Sequence, residues 1–303
     1  MVRFERALFL SWYCSRRDCT FCYMSTLKTS PKKSRRRKES VYAEAMISHK
    51  CNWPIEFISG GYDSYDLDEL IEITRGIHAI TGEKQWLNMG ALSEEELSSF
   101  LPHICGVAGT LECANPELRE KVCPSKPLEE IENMFRACDI LGLKKAVTLI
   151  IGLGETRDDL EYLLRYLKTY SIDKITFYAL NPHPGTPFRS SPSIDYYEWW
   201  ISSVRKAFPH IDIVAGAWSD KISYYSRLIT AGADNITKLP ALKILGTDTG
   251  RLVKEEIEKV AEFHSILTQR PDFTRKEIED LPFDQKTRDL IAKKITTYGS
   301  KII

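Results

Sequence analysis

Several features are missing from this chain of 303 residues. Net charge is one: 42 lysines and arginines meet 42 aspartates and glutamates. A neutral chain has no global field to draw it onto nucleic acid or a charged membrane surface. No apolar stretch approaches the ~18 residues that a membrane span needs. No secretory leader is legible: Met1–Arg6 is charged, and the apolar run Ala7–Trp12 after it has strand length and no small-residue cleavage site. These absences predict a cytoplasmic protein with neither a nucleic-acid nor a membrane partner. In that setting eight cysteines read as metal ligands or buried thiols rather than disulfides. Repeats with sequence self-similarity are missing too.

What is present is an alternation. Eight β-rich apolar runs recur: 7–13, 54–59, 84–90, 104–112, 145–152, 174–180, 212–217 and 234–239. Helical patterns separate them at 66–80, 93–100, 127–141, 156–170, 195–207 and 221–230. Strands alternating with helices predict an α/β fold, a parallel (β/α) TIM-type barrel of eight strands. Residues 1–250 form the barrel on this reading, and 251–303 supply a closing helix and a helical C-terminal extension. In such barrels function sits at the carboxyl ends of the strands, and the unusual residues of this chain all follow strand ends.

The first of them is Cys14-x4-Cys19-x2-Cys22. Three thiolates on one loop can hold three irons of a [4Fe–4S] cube and leave the fourth open. A structural zinc wants a fourth protein ligand, and no Cys or His occurs in the next dozen residues. A zinc-binding scaffold without catalysis is the alternative, and it predicts no cleavage of S-adenosylmethionine (SAM).

Phe21-Cys22-Tyr23 after strand 1 resembles the radical SAM superfamily, whose usual spacing has one residue fewer in the first gap. Ser59-Gly60-Gly61-Tyr62 is similar to its strand-2 motif, with Tyr62 in place of the usual acid and Asp63 next. Leu111–Leu118 resembles the strand-4 segment of the biotin-synthase-like branch, Ile150–Thr156 its strand-5 motif, and Asn181–Phe188 its strand-6 loop. The resemblance covers residues 7–188. It implies that Cys14, Cys19 and Cys22 ligate the cluster and that Glu112 meets the SAM ribose or amino group. It also implies SAM contacts from Tyr13, Phe21, Tyr23, Ser59, Gly60, Gly61, Ile151, Gly152 and Asn181. The implied chemistry is reductive cleavage of SAM to a 5′-deoxyadenosyl radical that abstracts hydrogen, with a ferredoxin or flavodoxin as electron donor.

Two reactions stay open, sulfur insertion being the first reading and small-molecule chemistry the alternative. Sulfur insertion, as in the archaeal-type split lipoyl synthases, needs a second iron–sulfur cluster, for which Cys105, Cys113 and Cys123 are the candidates. Small-molecule carbon-skeleton chemistry, as in iron-hydrogenase cofactor or methylornithine biosynthesis, does not. Biotin synthase itself fits poorly, because Phe57 and Ala146 stand where two of its strand cysteines would be. The basic run Lys28, Lys32, Lys33, Arg35, Arg36, Arg37 and Lys38 is either a solvated, mobile segment or a docking patch for an acidic carrier protein. Tyr178, His183, Trp218 and Asp220 are candidates to line a substrate pocket; Trp199 and Trp200 are read as core.

Overall fold

A computed structural model describes all residues, 1–303. Eight strands run in chain order: β1 (Arg6–Phe9), β2 (Ile55–Ser59), β3 (Gln85–Asn88), β4 (Ile104–Glu112), β5 (Lys144–Ile151), β6 (Lys174–Ala179), β7 (Asp212–Gly216) and β8 (Asn235–Thr237). Every neighbouring pair is parallel. A bridge between Phe4 and Ile236 joins the two ends of the sheet, with Glu5 N donating to Ile236 O at 2.8 Å. The parallel barrel expected from the alternation is therefore present.

The strands alternate between two environments. On β5, Val147, Leu149 and Ile151 point outward and join one large core of buried side chains between strands and helices. Ala146, Thr148 and Ile150 point into the barrel. Helices Leu67–Thr81 and Leu128–Leu141 cover the outside; both stop at a glycine in the left-handed conformation, Gly82 and Gly142, which any side chain but glycine would strain. Helix Leu160–Thr169 is launched by a 3-10 turn, Arg157–Asp159, whose reciprocal Thr156–Asp159 cap satisfies orphan amides.

Two segments depart from the expected pattern. Residues 10–13 leave the sheet early: Ser11 bridges Arg35, and Trp12 N donates to Ser34 O. The basic run is tied down at its carboxyl end. Arg36 pairs with the buried Glu44 at 2.7 Å and Lys38 with Glu72 at 2.6 Å, while Arg35 pairs with Glu69 and lies over Tyr65. Helix Lys38–Lys50 follows at once. It is buried from Val41 through Ser48, so it lacks the apolar stripe by which a surface helix is recognised.

Residues beyond 250 pack on the same core. Helix Asp248–Glu258 spans the 250/251 position, and Val253, Phe263, Phe273 and Ile291 are buried with barrel residues. Helix Gln285–Thr297 leads to Tyr298, whose hydroxyl lies 2.7 Å from Ser40 Oγ. No helix is long and apolar enough to cross a membrane.

Candidate active site

The amino-terminal end of the barrel is plugged. Glu5, buried, accepts from Lys174 and from Asn235 at 2.9 Å. Above it Phe57, Ala108 and Ala146 pack with Ala7, Trp86 and Tyr178. Glu56 accepts from the Tyr178 hydroxyl at 2.6 Å and from Thr237 at 2.5 Å. A cavity of about 440 Å³ opens above this floor at the carboxyl ends of the strands.

Cys14, Cys19 and Cys22 all line that cavity, with Phe21 and Tyr23 beside them. The loop carrying them is fastened on two sides. Gly61 supports it from β2: a Cβ there would fall 2.1 Å from the Tyr13 carbonyl oxygen and 2.5 Å from Cys14 Cβ. Only glycine fits, although the close approach serves the cysteine loop rather than a ligand. The segment after β4 holds the other side. Thr20 N donates to Val122 O at 2.9 Å, Ser125 Oγ donates to Asp18 at 2.8 Å, and Arg16 pairs with Glu130 at 2.7 Å.

The three thiols do not converge on one point; no three Cys, His, Asp or Glu side chains in the chain form a metal-ligand set. What the loop offers is three thiols opening on one cavity with no fourth cysteine in the lining; Glu112 and His183 line it as well but do not group with the thiols as a ligand set. That donor chemistry fits a cube with one free iron and not a closed zinc site. Cys123 approaches Cys19 from the packing layer outside the cavity. Its proximity, aided by the Lys126 cation, outweighs burial and holds the Cys19 thiol below its usual value, whereas burial pushes Cys22 up to about 11.

Glu112, the last residue of β4, has φ +60°, a backbone uncommon outside glycine. It turns a buried carboxyl into the cavity, where burial raises its pKa against the pull of Lys126, 4.0 Å away, and Arg119. Burial works against the Lys126 ammonium, but Glu112, Cys19 and Cys123 more than offset it and keep it charged. Ser59, Gly60, Asn88, Ile150 and Asn181 complete this side of the cavity.

Not every expected residue arrives here. Ile151 points into the outer core, and the cavity side chain is its neighbour Ile150. Gly152 (φ +111°) serves the turn after β5, donating its amide to Glu155 at 2.7 Å, and Tyr13 is outside the lining. The second-cluster trio does not assemble. Cys105 is the second residue of the nine-residue β4 and Cys113 the first beyond it, so roughly 23 Å of strand separates Cys105 from the strand's end at a rise of ~3.3 Å. Cys113 donates to its own turn, Asn115 O at 3.3 Å, and Cys123 packs behind Cys19. Asp220 is an exposed partner of Lys221. Tyr178, His183 and Trp218 do line the cavity, and Trp200 is core. Lys126 and Lys238 are cavity residues that no motif marks.

A family model described as the radical SAM superfamily matches residues 11–167. An uncharacterized protein of Methanocaldococcus jannaschii is 37% identical over 324 residues, with 100% of this chain and 90% of that protein covered. The [FeFe] hydrogenase maturase subunit HydE of Thermotoga maritima is 25% identical, over 60% of this chain and 53% of its own length. A biotin synthase of Methanococcus vannielii is 24% identical, over 78% and 72%. Among solved structures, methylornithine synthase superposes with a TM-score of 0.68 at 19% identity, covering 100% of this chain and 83% of its own, a likeness of fold.

Proposed function

The chain belongs to the radical SAM superfamily, and we propose that it acts on a small molecule with a single [4Fe–4S] cluster, without inserting sulfur. With cluster and SAM bound, the chemistry supplied is electron transfer into the SAM sulfonium and release of a 5′-deoxyadenosyl radical that removes hydrogen from a C–H bond. Cys14, Cys19 and Cys22 are the proposed iron ligands on their pinned loop. Glu112, a cavity carboxyl with Lys126 4.0 Å away, is the proposed acceptor of a hydrogen bond from SAM. Ser59, Gly60 and Asn181 flank it, and Ile150 takes the apolar contact expected of Ile151. Phe21, Tyr23 and Trp12 line the mouth and help to keep water from a reactive carbon radical. Tyr23 leans on His183 with 5.3 Å between ring centres, so the cysteine loop and the loop after β6 close on one another.

The observation that carries the choice of reaction is the barrel interior. Sulfur insertion needs a second cluster as donor, yet Phe57, Ala108 and Ala146 pack the interior below the cavity, and Cys105, near the start of β4, lies far from Cys113 and Cys123, which pack outside the cavity beside Cys19. A cavity of about 440 Å³ that also takes SAM leaves room for a small substrate. The hydrogenase maturase relative supports this reading; the biotin synthase relative is the case against it. A cytoplasmic enzyme served by a ferredoxin or flavodoxin accords with it. Of the basic run, Arg35, Arg36 and Lys38 already have carboxylate partners, which leaves Lys28, Lys32, Lys33 and Arg37 to meet any acidic carrier protein.

Iron and sulfide counted after anaerobic reconstitution test this. About four irons per chain, falling to near zero in the Cys14→Ala/Cys19→Ala/Cys22→Ala variant, is the expected result. Iron retained by that variant would reveal a second cluster and return sulfur insertion to the front.

A further inference from the structure

Lys238 is a cavity residue left without a role by the chemistry above. It directly follows β8 and has φ +72°. A side-chain-bearing residue held there is strained and persists only where its surroundings over-determine it. The side chain enters the cavity. Its Nζ stands 4.4 Å from the ring centre of Tyr178 and 5.8 Å from that of Trp218. Gly216 on β7 makes space for this stack, since a Cβ there would lie 2.7 Å from Lys238 Cγ and 2.7 Å from Tyr178 Cδ1.

The other cavity cations are engaged. Arg6 pairs with Glu44 at 2.5 Å, Lys126 faces Glu112 at 4.0 Å, and Arg17 donates to the Leu27 carbonyl. Lys238 has neither an ion pair nor a hydrogen bond. A desolvated ammonium without a directly paired carboxylate is costly, and aromatic faces return only part of that cost. Burial accordingly lowers its pKa, against Glu56, Glu112 and Cys22, which favour the cation, and with Arg6, which does not. The wall thus presents to the cavity an amine that has no ion pair or hydrogen bond within the chain.

We propose that Lys238 anchors a carboxylate of the substrate, with Tyr178 and Trp218 as the walls beside that group. The assignment rests on the reading of the cavity as a radical SAM site for a small molecule. One ammonium matches one carboxylate in charge, whereas a phosphate carries nearly two charges and three acceptor oxygens and asks for more donors than this wall has. β8 stands four strands from β4 in the ring of eight. The anchor is therefore across the barrel from Glu112 and the proposed SAM wall, and the rest of the substrate spans the space between.

The test is equilibrium binding by calorimetry to the anaerobically reconstituted holoenzyme, with SAM present and no reductant. Butyrate, the neutral butyramide and inorganic phosphate are the probes. Butyrate should bind at least tenfold more tightly than butyramide. Lys238→Gln should erase that preference, and Lys238→Arg should restore part of it. If Lys238→Gln fails to fold by circular dichroism, Gly216→Ala, which keeps the lysine but displaces it, should weaken butyrate several-fold and leave butyramide alone. No preference for butyrate in the unmodified enzyme, a preference that survives in these variants, or tighter binding of phosphate would overturn the assignment. The underlying reading is tested separately: 5′-deoxyadenosine formed by the unmodified enzyme under dithionite supports it, and none formed overturns it, whatever butyrate does.

Discussion

The cavity has two walls that differ in what they carry. The wall from β1 to β5 holds the cysteine loop, the glycines Gly60 and Gly61 and the strand end at Glu112, with large side chains such as Phe21, Tyr23 and Tyr62 among them. The wall from β6 to β8 is made of large side chains, Tyr178, His183, Trp218 and Lys238. On the first wall Gly61 admits the close approach of the cysteine loop, and little there can be exchanged without moving that loop. Side chains projecting from strand ends can be changed one at a time while the strands stay put. The first wall is suited to the cofactor chemistry and the second to the choice of substrate. The family model ends at residue 167, before β6 begins at Lys174, which agrees with that division.

The contrast can be broken by substitution. The largest effect on stability should come from the outer layer that steadies both walls. Burial alone would raise the Glu44 pKa, but Arg6 and Arg36 overrule it and hold the carboxyl below its usual value. The sign follows: its contribution is complete above the unfolded-state value near 4.5 and is lost as pH falls through the lower folded-state value. Glu44→Ala should cost about 3–5 kcal/mol at neutral pH, measured by denaturant unfolding, and less in acid.

Next comes the cofactor wall. Gly61→Ala puts a methyl against the Tyr13 carbonyl and should cost about 1–3 kcal/mol together with most of the iron uptake. Gly60→Ala meets only the flexible end of Met89, at 2.9 Å, and the Ser64 hydroxyl. It should cost under about 1 kcal/mol; equal losses at the two positions would defeat the contrast. Glu112→Gln should weaken SAM binding by about tenfold, the equivalent of ~1.4 kcal/mol for one charged hydrogen bond, without changing iron content. Smallest of all, the Lys32→Ala/Lys33→Ala pair should shift stability by less than about 0.5 kcal/mol and leave electron delivery from a ferredoxin intact. A large loss in that assay would revive the docking role of the basic run.

Legibility in the sequence follows the same division. The alternation located all eight strands because buried parallel strands read as short apolar runs. It ran β1 on to Tyr13 because Leu10 and Ser11 are buried by packing against the basic segment, which apolarity alone cannot distinguish from pairing. Helix Lys38–Lys50 escaped notice because burial on nearly every side removes periodicity. At the site, Cys14, Cys19, Cys22, Gly61 and Glu112 lie in short contiguous motifs. Lys126 and Lys238 do not; each is one lysine among many until folding takes it out of water.

The sequence by itself determined the barrel, the three-cysteine loop and the superfamily, because local spacing and periodicity are properties of neighbours along the chain. Only the tertiary structure decided which cysteines meet, that Ile150 rather than Ile151 faces inward, and that Lys238 lies without a partner across from Glu112. Those depend on strand register, on which face of a pleat a residue takes, and on how far apart nine residues of extended chain carry Cys105 and Cys113. Distances of that kind are set when the sheet closes.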